Sequence, residues 1–184
     1  MERSTGDSRI VSRWLLLSLM VLLLDQTSKQ FAEALLNPYE PVPLLPYFDL
    51  TLMYNKGAAF SFLSDQGGWQ RWFFVVLALV VIGVLGVWLG RLKREDRWVA
   101  FSLSLIIGGA LGNVTDRILF GQVIDFVDIY YLSESCLPGF ASMAGACHWP
   151  AFNIADSAIF VGVAVMLLDA FFPRLTRGAT ADNS

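Results

Sequence analysis

The chain has 184 residues, 55% of them hydrophobic, and a mean hydropathy of +0.56, too apolar for an ordinary water-soluble domain. A formal net charge of −3, with no basic face away from the flanks of the apolar runs, excludes nucleic acid as a partner. The apolar residues come in long unbroken blocks suited to a bilayer, and one domain is expected because each block needs the others to pack against.

The first block, WLLLSLMVLLL at 14–24, is too short by itself to cross a membrane, which takes about 20 residues. The helix is therefore expected to continue through DQTSKQFAEALL to about residue 35, carrying Asp25 and Lys29. Those two are four apart, so they share one helix face and can pair. Arg9 and Arg13 ahead of an apolar run also suit a signal peptide, but no small-x-small cleavage site follows and charges sit where the run ends.

Residues 42–63 alternate Thr, Tyr and Phe with polar residues between prolines and glycines, which predicts a short hairpin or curved sheet at the membrane surface. WFFVVLALVVIGVLGVWLG (72–90) predicts a second span over about 70–90, and RLKREDR (91–97) a short basic turn. WVAFSLSLIIGGALGNVT predicts a third span over about 98–117, and a fourth covers about 151–172. The fold class is an all-α membrane protein of four transmembrane helices with a small extracytoplasmic β segment. One domain takes residues 1–172, and a cytoplasmic tail takes 173–184, with RGATADNS expected to be disordered.

Arg3, Arg9 and Arg13, then Arg91, Lys93, Arg94 and Arg97, then Arg174 and Arg177 all fall on one side of this arrangement. No Lys or Arg occurs from Ile118 to Pro173. The positive-inside rule places both termini in the cytoplasm and segments 37–68 and 117–150 outside.

The polar residues at membrane depth are one-sided. Asp25 and Lys29 lie in the outward half of the first span, and Asn113, Asp116 and Arg117 end the third. Asn55 belongs to the outer β segment, Asp125 follows the third span, and Asn153 and Asp156 open the fourth. A helix starting near Ala151 would put Asp156 roughly 7–8 Å below its mouth. Ionisable groups at such depth usually face the bundle interior or a wet cavity, and are functional candidates for that reason.

Each has a plainer reading. Asp25 with Lys29, and Asp116 with Arg117, read first as structural ion pairs. Asn55, Asn113 and Asn153 can satisfy backbone groups where helices end. Asp128 and Asp169 read as solvated or interfacial carboxylates, and the glycines of GGALGN (108–113) as a face for close helix packing. His148, the single histidine, has no second ligand in view, so no metal is expected. A serine–histidine device would depend on it alone.

Asp125 and Asp156 are harder to dismiss, because no Lys or Arg lies between them. Two carboxylates sharing a low-dielectric site split their titrations, one staying ionised and one protonated. That division is what aspartic proteolysis requires: one acid deprotonates water, the other polarises the scissile carbonyl. No cofactor is needed. Membrane carboxylates also serve proton relays and ion sites, so a small ion-coupled transporter using Asp25, Asp125 and Asp156 is the alternative, and a noncatalytic assembly factor a third.

Five motifs in order then resemble bacterial lipoprotein signal peptidase, or signal peptidase II: DQTSK (25–29), NKGAAFS (55–61), GGALGNVTDR (108–117), VIDF (123–126) and FNIADS (152–157). The resemblance covers roughly residues 14–172. It implies a four-helix bundle with an outer β-cradle, in the bacterial inner membrane, with its active site near the outer face. It implies cleavage of diacylglyceryl-modified prolipoproteins just before the lipidated cysteine, and inhibition by globomycin-like cyclic peptides. The implied partners are the prolipoprotein signal peptide and membrane lipid. Asp125 and Asp156 are the implied catalytic dyad. Asn55, Gly57, Asn113, Arg117 and Asn153 are implied in substrate binding or site geometry, with Asp25, Lys29 and Asp116 as supporting polar residues.

LSESCLPGFASMAGAC (132–147) makes the link between the two aspartates longer than is usual in the family and lies outside the motifs. Facing an oxidising compartment, Cys136 and Cys147 can close a loop worth about 2–3 kcal/mol or stay as free thiols. The insert is expected to shape the outer entrance.

Overall fold

The computed structural model describes residues 5–57, 68–143 and 145–172. Residues 58–63 of the predicted outer β segment, the tail 173–184, Arg3, Arg174 and Arg177 lie outside them.

Helix α1 runs from Thr5 to Leu35, so the first apolar block does continue through the DQTSK motif. Its buried residues, Ser18, Val21, Asp25, Lys29 and Ala32, recur at three- and four-residue spacing along one face. The opposite side exposes Leu15, Leu16, Leu19, Leu23 and Leu24. This inverts a water-soluble amphipathic helix: polar groups point into the protein and leucines point out, which suits a lipid surround.

Helices α2 (Trp69–Leu89), α3 (Arg97–Phe120) and α4 (Ile154–Phe171) are each long and apolar enough to cross a membrane, and they are the three such helices among the described residues. α3 is the hub, packing against α1, α2 and α4. Its glycines set the closeness of two of those contacts. A methyl on Gly108 would lie 2.8 Å from Val21 Cβ of α1, and one on Gly109 would overlap the Ala155 carbonyl oxygen of α4. The small-residue face expected at 108–113 is therefore a true packing seam. Leu89, Val99, Ala100, Leu103 and Ile107 form the α2–α3 core, while α2 otherwise turns residues such as Val76, Val80 and Val84 outward.

Beyond the helices lies a five-stranded antiparallel sheet in the order β1-β2-β3-β5-β4. Strands β1 (Pro41–Leu45) and β2 (Phe48–Asn55) form the hairpin predicted from 42–63. Strands β3 (Val123–Leu132), β4 (Ala141–Met143) and β5 (Ala146–His148) were not anticipated. The 132–147 insert thus supplies β4 and the start of β5 after a loop over 133–140, and Cys136 and Cys147 are joined as a disulfide with their Cα atoms 5.4 Å apart. Ala32 of α1 packs with Leu52, Ile124 and Phe126, seating the sheet on the end of the bundle.

Two local devices aim the acidic residues. Gly121 closes α3 at φ +79°, a left-handed conformation that glycine adopts without strain, and the chain enters β3 two residues later. Phe152 then pairs with Val127 through both backbone hydrogen bonds, N···O 2.9 and 3.1 Å, fixing the chain beside β3 just before α4 begins. Since α4 opens at Ile154 and not near 151, Asp156 stands two residues inside it, about 3 Å and not 7–8 Å below the mouth.

Candidate active site

Asn153 is the N-cap of α4. Its Oδ1 accepts the Asp156 backbone N–H at 2.9 Å, and Asp156 Oδ2 accepts the Asn153 backbone N–H at 3.3 Å, a reciprocal capping box. The Nδ2 group of the same asparagine donates to Asp125 Oδ1 at 2.7 Å and lies 3.2 Å from both Ile124 O and Asn113 Oδ1. Asn113, on α3, donates from Nδ2 to Asp156 Oδ1 at 2.7 Å. The two aspartates are thus brought to one site and linked through two asparagines. Asn55 Nδ2, at the end of β2, reaches Asp125 Oδ2 at 3.3 Å, while its Oδ1 accepts the Gly57 N–H at 3.0 Å.

Beneath this lies a charged support. Lys29 Nζ sits 2.8 Å from both Asp25 and Asp116 and donates to Asn113 Oδ1 at 3.2 Å, all three charged side chains being essentially inaccessible. Because the ammonium can only donate, it fixes the Asn113 amide with its oxygen toward Lys29 and its NH2 toward Asp156. Asp25 also accepts the Ala155 N–H at 2.9 Å and Asp116 the Ile124 N–H at 3.1 Å, so the triad tethers the residues next to both site aspartates. The pair expected between Asp116 and Arg117 is not the one formed. Asp116 faces inward to Lys29, whereas Arg117, one residue on, donates to the carbonyls of Gly57 at 3.0 Å and Asn113 at 3.3 Å and lies over Phe74.

Burial pushes the Asp125 carboxyl up to about 7; the Asp156 charge adds to this, and the Asn55 amide donor, the Lys29 charge and the Asn153 amide donor oppose it. Such a group holds or yields a proton near neutrality, as acid–base chemistry needs.

Two expected surface carboxylates are buried. Asp128 is 3% exposed, meets His148 Nδ1 at 2.8 Å and accepts the Thr51 hydroxyl at 3.1 Å, because β2 and β5 flank it; Asp169 is 5% exposed. Gln26 escaped the sequence reading although it lies inside DQTSK. Its Nε2 donates to Asp116 at 2.7 Å and lies 3.2 Å from Asp25 and from Gly112 O, completing the support.

These features define a multi-pass membrane protein with a buried Asp125 and a half-buried Asp156 brought together where its bundle meets a small antiparallel sheet. Residues 17–172 match the family model described as signal peptidase (SPase) II. A lipoprotein signal peptidase of Pseudomonas fluorescens is 49% identical over 171 residues, covering 92% of this chain and 93% of the relative. One of Aeromonas hydrophila subsp. hydrophila is 50% identical over 160 residues, covering 86% and 88%. Among solved structures, a bacterial membrane enzyme determined by the in meso method shares 26% identity at a TM-score of 0.68, over 88% of this chain and 94% of that one. Another, at 24% identity and a TM-score of 0.72, has the same fold. The chain belongs to the signal peptidase II family. It is an aspartic-type peptidase of lipoprotein processing, and the transporter and assembly-factor alternatives have no support in these relatives.

Proposed function

We propose that Asp125 and Asp156 are the catalytic dyad, and that the enzyme cuts diacylglyceryl-modified prolipoproteins immediately before the lipidated cysteine. The observation that carries this is their convergence through Asn113 and Asn153 beside a sheet. Asp125 is the proton-bearing member that polarises the scissile carbonyl, in keeping with a carboxyl raised to about 7. Asp156 takes the proton from water; it accepts an amide N–H from Asn113 and a backbone N–H at the positive end of α4. Asn55, Gly57 and Arg117 hold the substrate-facing rim, with Asp25, Lys29 and Asp116 as its foundation.

All four helices cross the bacterial inner membrane, α1 included, with both termini in the cytoplasm. Arg91, Lys93, Arg94 and Arg97 at the α2–α3 turn support that orientation, and it puts the dyad near the outer face. A single domain over residues 1–172 carries the activity. The signal segment and diacylglyceryl chains stay in hydrocarbon while the peptide bond reaches the acids, and globomycin-like cyclic peptides compete for the same cleft.

Asp125→Asn and Asp156→Asn, assayed in liposomes with a diacylglyceryl-modified prolipoprotein, are each expected to abolish cleavage while membrane insertion persists. Substantial turnover by either variant overturns the dyad.

A further inference from the structure

A cavity of about 610 Å³ extends outward from Asp125. Among the described residues its lining comes from β2 and the Lys56 that follows it, from β3, from residues 139–143 and from residues 148–151, with none from the four helices. One wall is apolar, formed by Phe140, Met143 and Trp149. Phe140 stands edge-on to Tyr131 and Trp149, with ring centroids 5.1 and 5.2 Å apart. Asp128 and His148, already paired with each other, line the same space.

The insert supplies Phe140 and Met143 of this wall, and it is anchored. Cys147 is fully buried on β5 and bonded to Cys136, which ties the stretch leading to β4 onto the sheet. The Leu137 N–H donates to the Tyr131 hydroxyl at 2.8 Å, and β4 pairs with β5 along its length. The element is a fixed part of the cavity.

Resting on the peptidase reading above, the lining decides which part of the substrate lies here. An apolar signal segment belongs with the helices and lipid. A cavity whose described lining is sheet and loop, starting at Asp125, receives the chain on the other side of the scissile bond. We propose that the disulfide-closed insert, together with Trp149 just after it, is a specificity determinant: Phe140, Met143 and Trp149 take an apolar side chain from the residues that follow the lipidated cysteine. An acidic side chain is disfavoured against these three side chains, whose apolar surfaces offer a carboxylate no hydrogen bond to replace those it makes with water.

The test uses lipidated prolipoprotein peptides that differ only in carrying Phe, Ala or Asp at each of the second to fourth positions, counting the cysteine as the first. For the full-length enzyme, kcat/KM at one of these positions is expected to be about tenfold higher for Phe than for Ala, the scale of a modest apolar contact, and lowest for Asp. In Phe140→Ala/Met143→Ala the Phe-to-Ala ratio falls toward one, and Cys136→Ser/Cys147→Ser lowers it in the same direction. Reading the ratio separates lost recognition from lost folding, which depresses both substrates alike. Met143→Ala alone, at a 47% exposed position, lowers the ratio without disturbing the aromatic cluster. The inference is overturned if the wild-type enzyme cleaves all substrates equally, or if the preference survives in the double alanine variant. If the wild-type enzyme cleaves none of them, the peptidase reading falls and takes this inference with it.

Discussion

Asn153 offers the sharpest test of how the site is held together, because one fully buried amide serves both aspartates. Its oxygen caps α4 through the Asp156 N–H, and its nitrogen donates to Asp125 at 2.7 Å. Removing a side-chain cap costs about 1 kcal/mol, and removing a buried hydrogen bond to a carboxylate costs about 1.5–3 kcal/mol. Asn153→Ala is therefore expected to destabilise the protein by about 3 kcal/mol, read as a lower thermal midpoint in detergent micelles. Cleavage should fall by at least about 10²-fold, since both acids lose the partner that positions them. Asn153→Ser separates the two roles: a serine still caps the helix, restoring about 1 kcal/mol, but cannot reach Asp125 with an N–H. Stability should recover in part while cleavage stays low. If serine restores cleavage together with stability, Asn153 is a helix cap and nothing more, and the linkage argument is refuted.

Cleavage by the wild-type enzyme should decline as pH rises through about 7, where Asp125 loses its proton, and Asn55→Ala should move that decline upward because the amide donor favours the charged form. The same raised carboxyl favours the folded state fully below its ordinary value of 3.8, and that contribution is lost as pH rises to about 7; denaturation midpoints across this window check the sign. Lys29→Met strands Asp25 and Asp116 without their shared cation, and is expected to cost about 3–5 kcal/mol in thermal unfolding. Gly109→Val drives a side chain into the Ala155 carbonyl and Ile159, so the α3–α4 seam must open; a loss of about 1–3 kcal/mol and reduced cleavage are expected.

Much of this architecture was legible because the bilayer imposes long apolar runs. The extension of α1 through Asp25 and Lys29, the close packing at Gly108 and Gly109, and the 41–55 hairpin all follow from length, spacing and composition. Strand β3 was passed over although VIDFVDIYYL is rich in β-branched and aromatic residues. Being buried on both faces near Asp125, it lacks the clean alternation of a half-exposed strand. The start of α4 was misplaced by three residues for a local reason. Ala151 and Phe152 look apolar enough for helix, but Phe152 spends its backbone groups on Val127, leaving Asn153 to cap. Partner choice was the least readable feature. That Asp116 turns to Lys29 and not to adjacent Arg117 depends on helix rotation, and burial of Asp128 depends on strands that come from distant parts of the chain.

The buried lysine triad also constrains biogenesis. When α1 emerges from the ribosome, Asp25 and Lys29 neutralise each other, but the second carboxylate and the Asn113 amide that complete their coordination are encoded more than 80 residues later. Until α3 is in place, α1 carries an unfinished ionic cluster that an apolar surround solvates poorly. Final docking of the first-made helix therefore waits for the third, and the peptidase becomes competent only late in its own insertion.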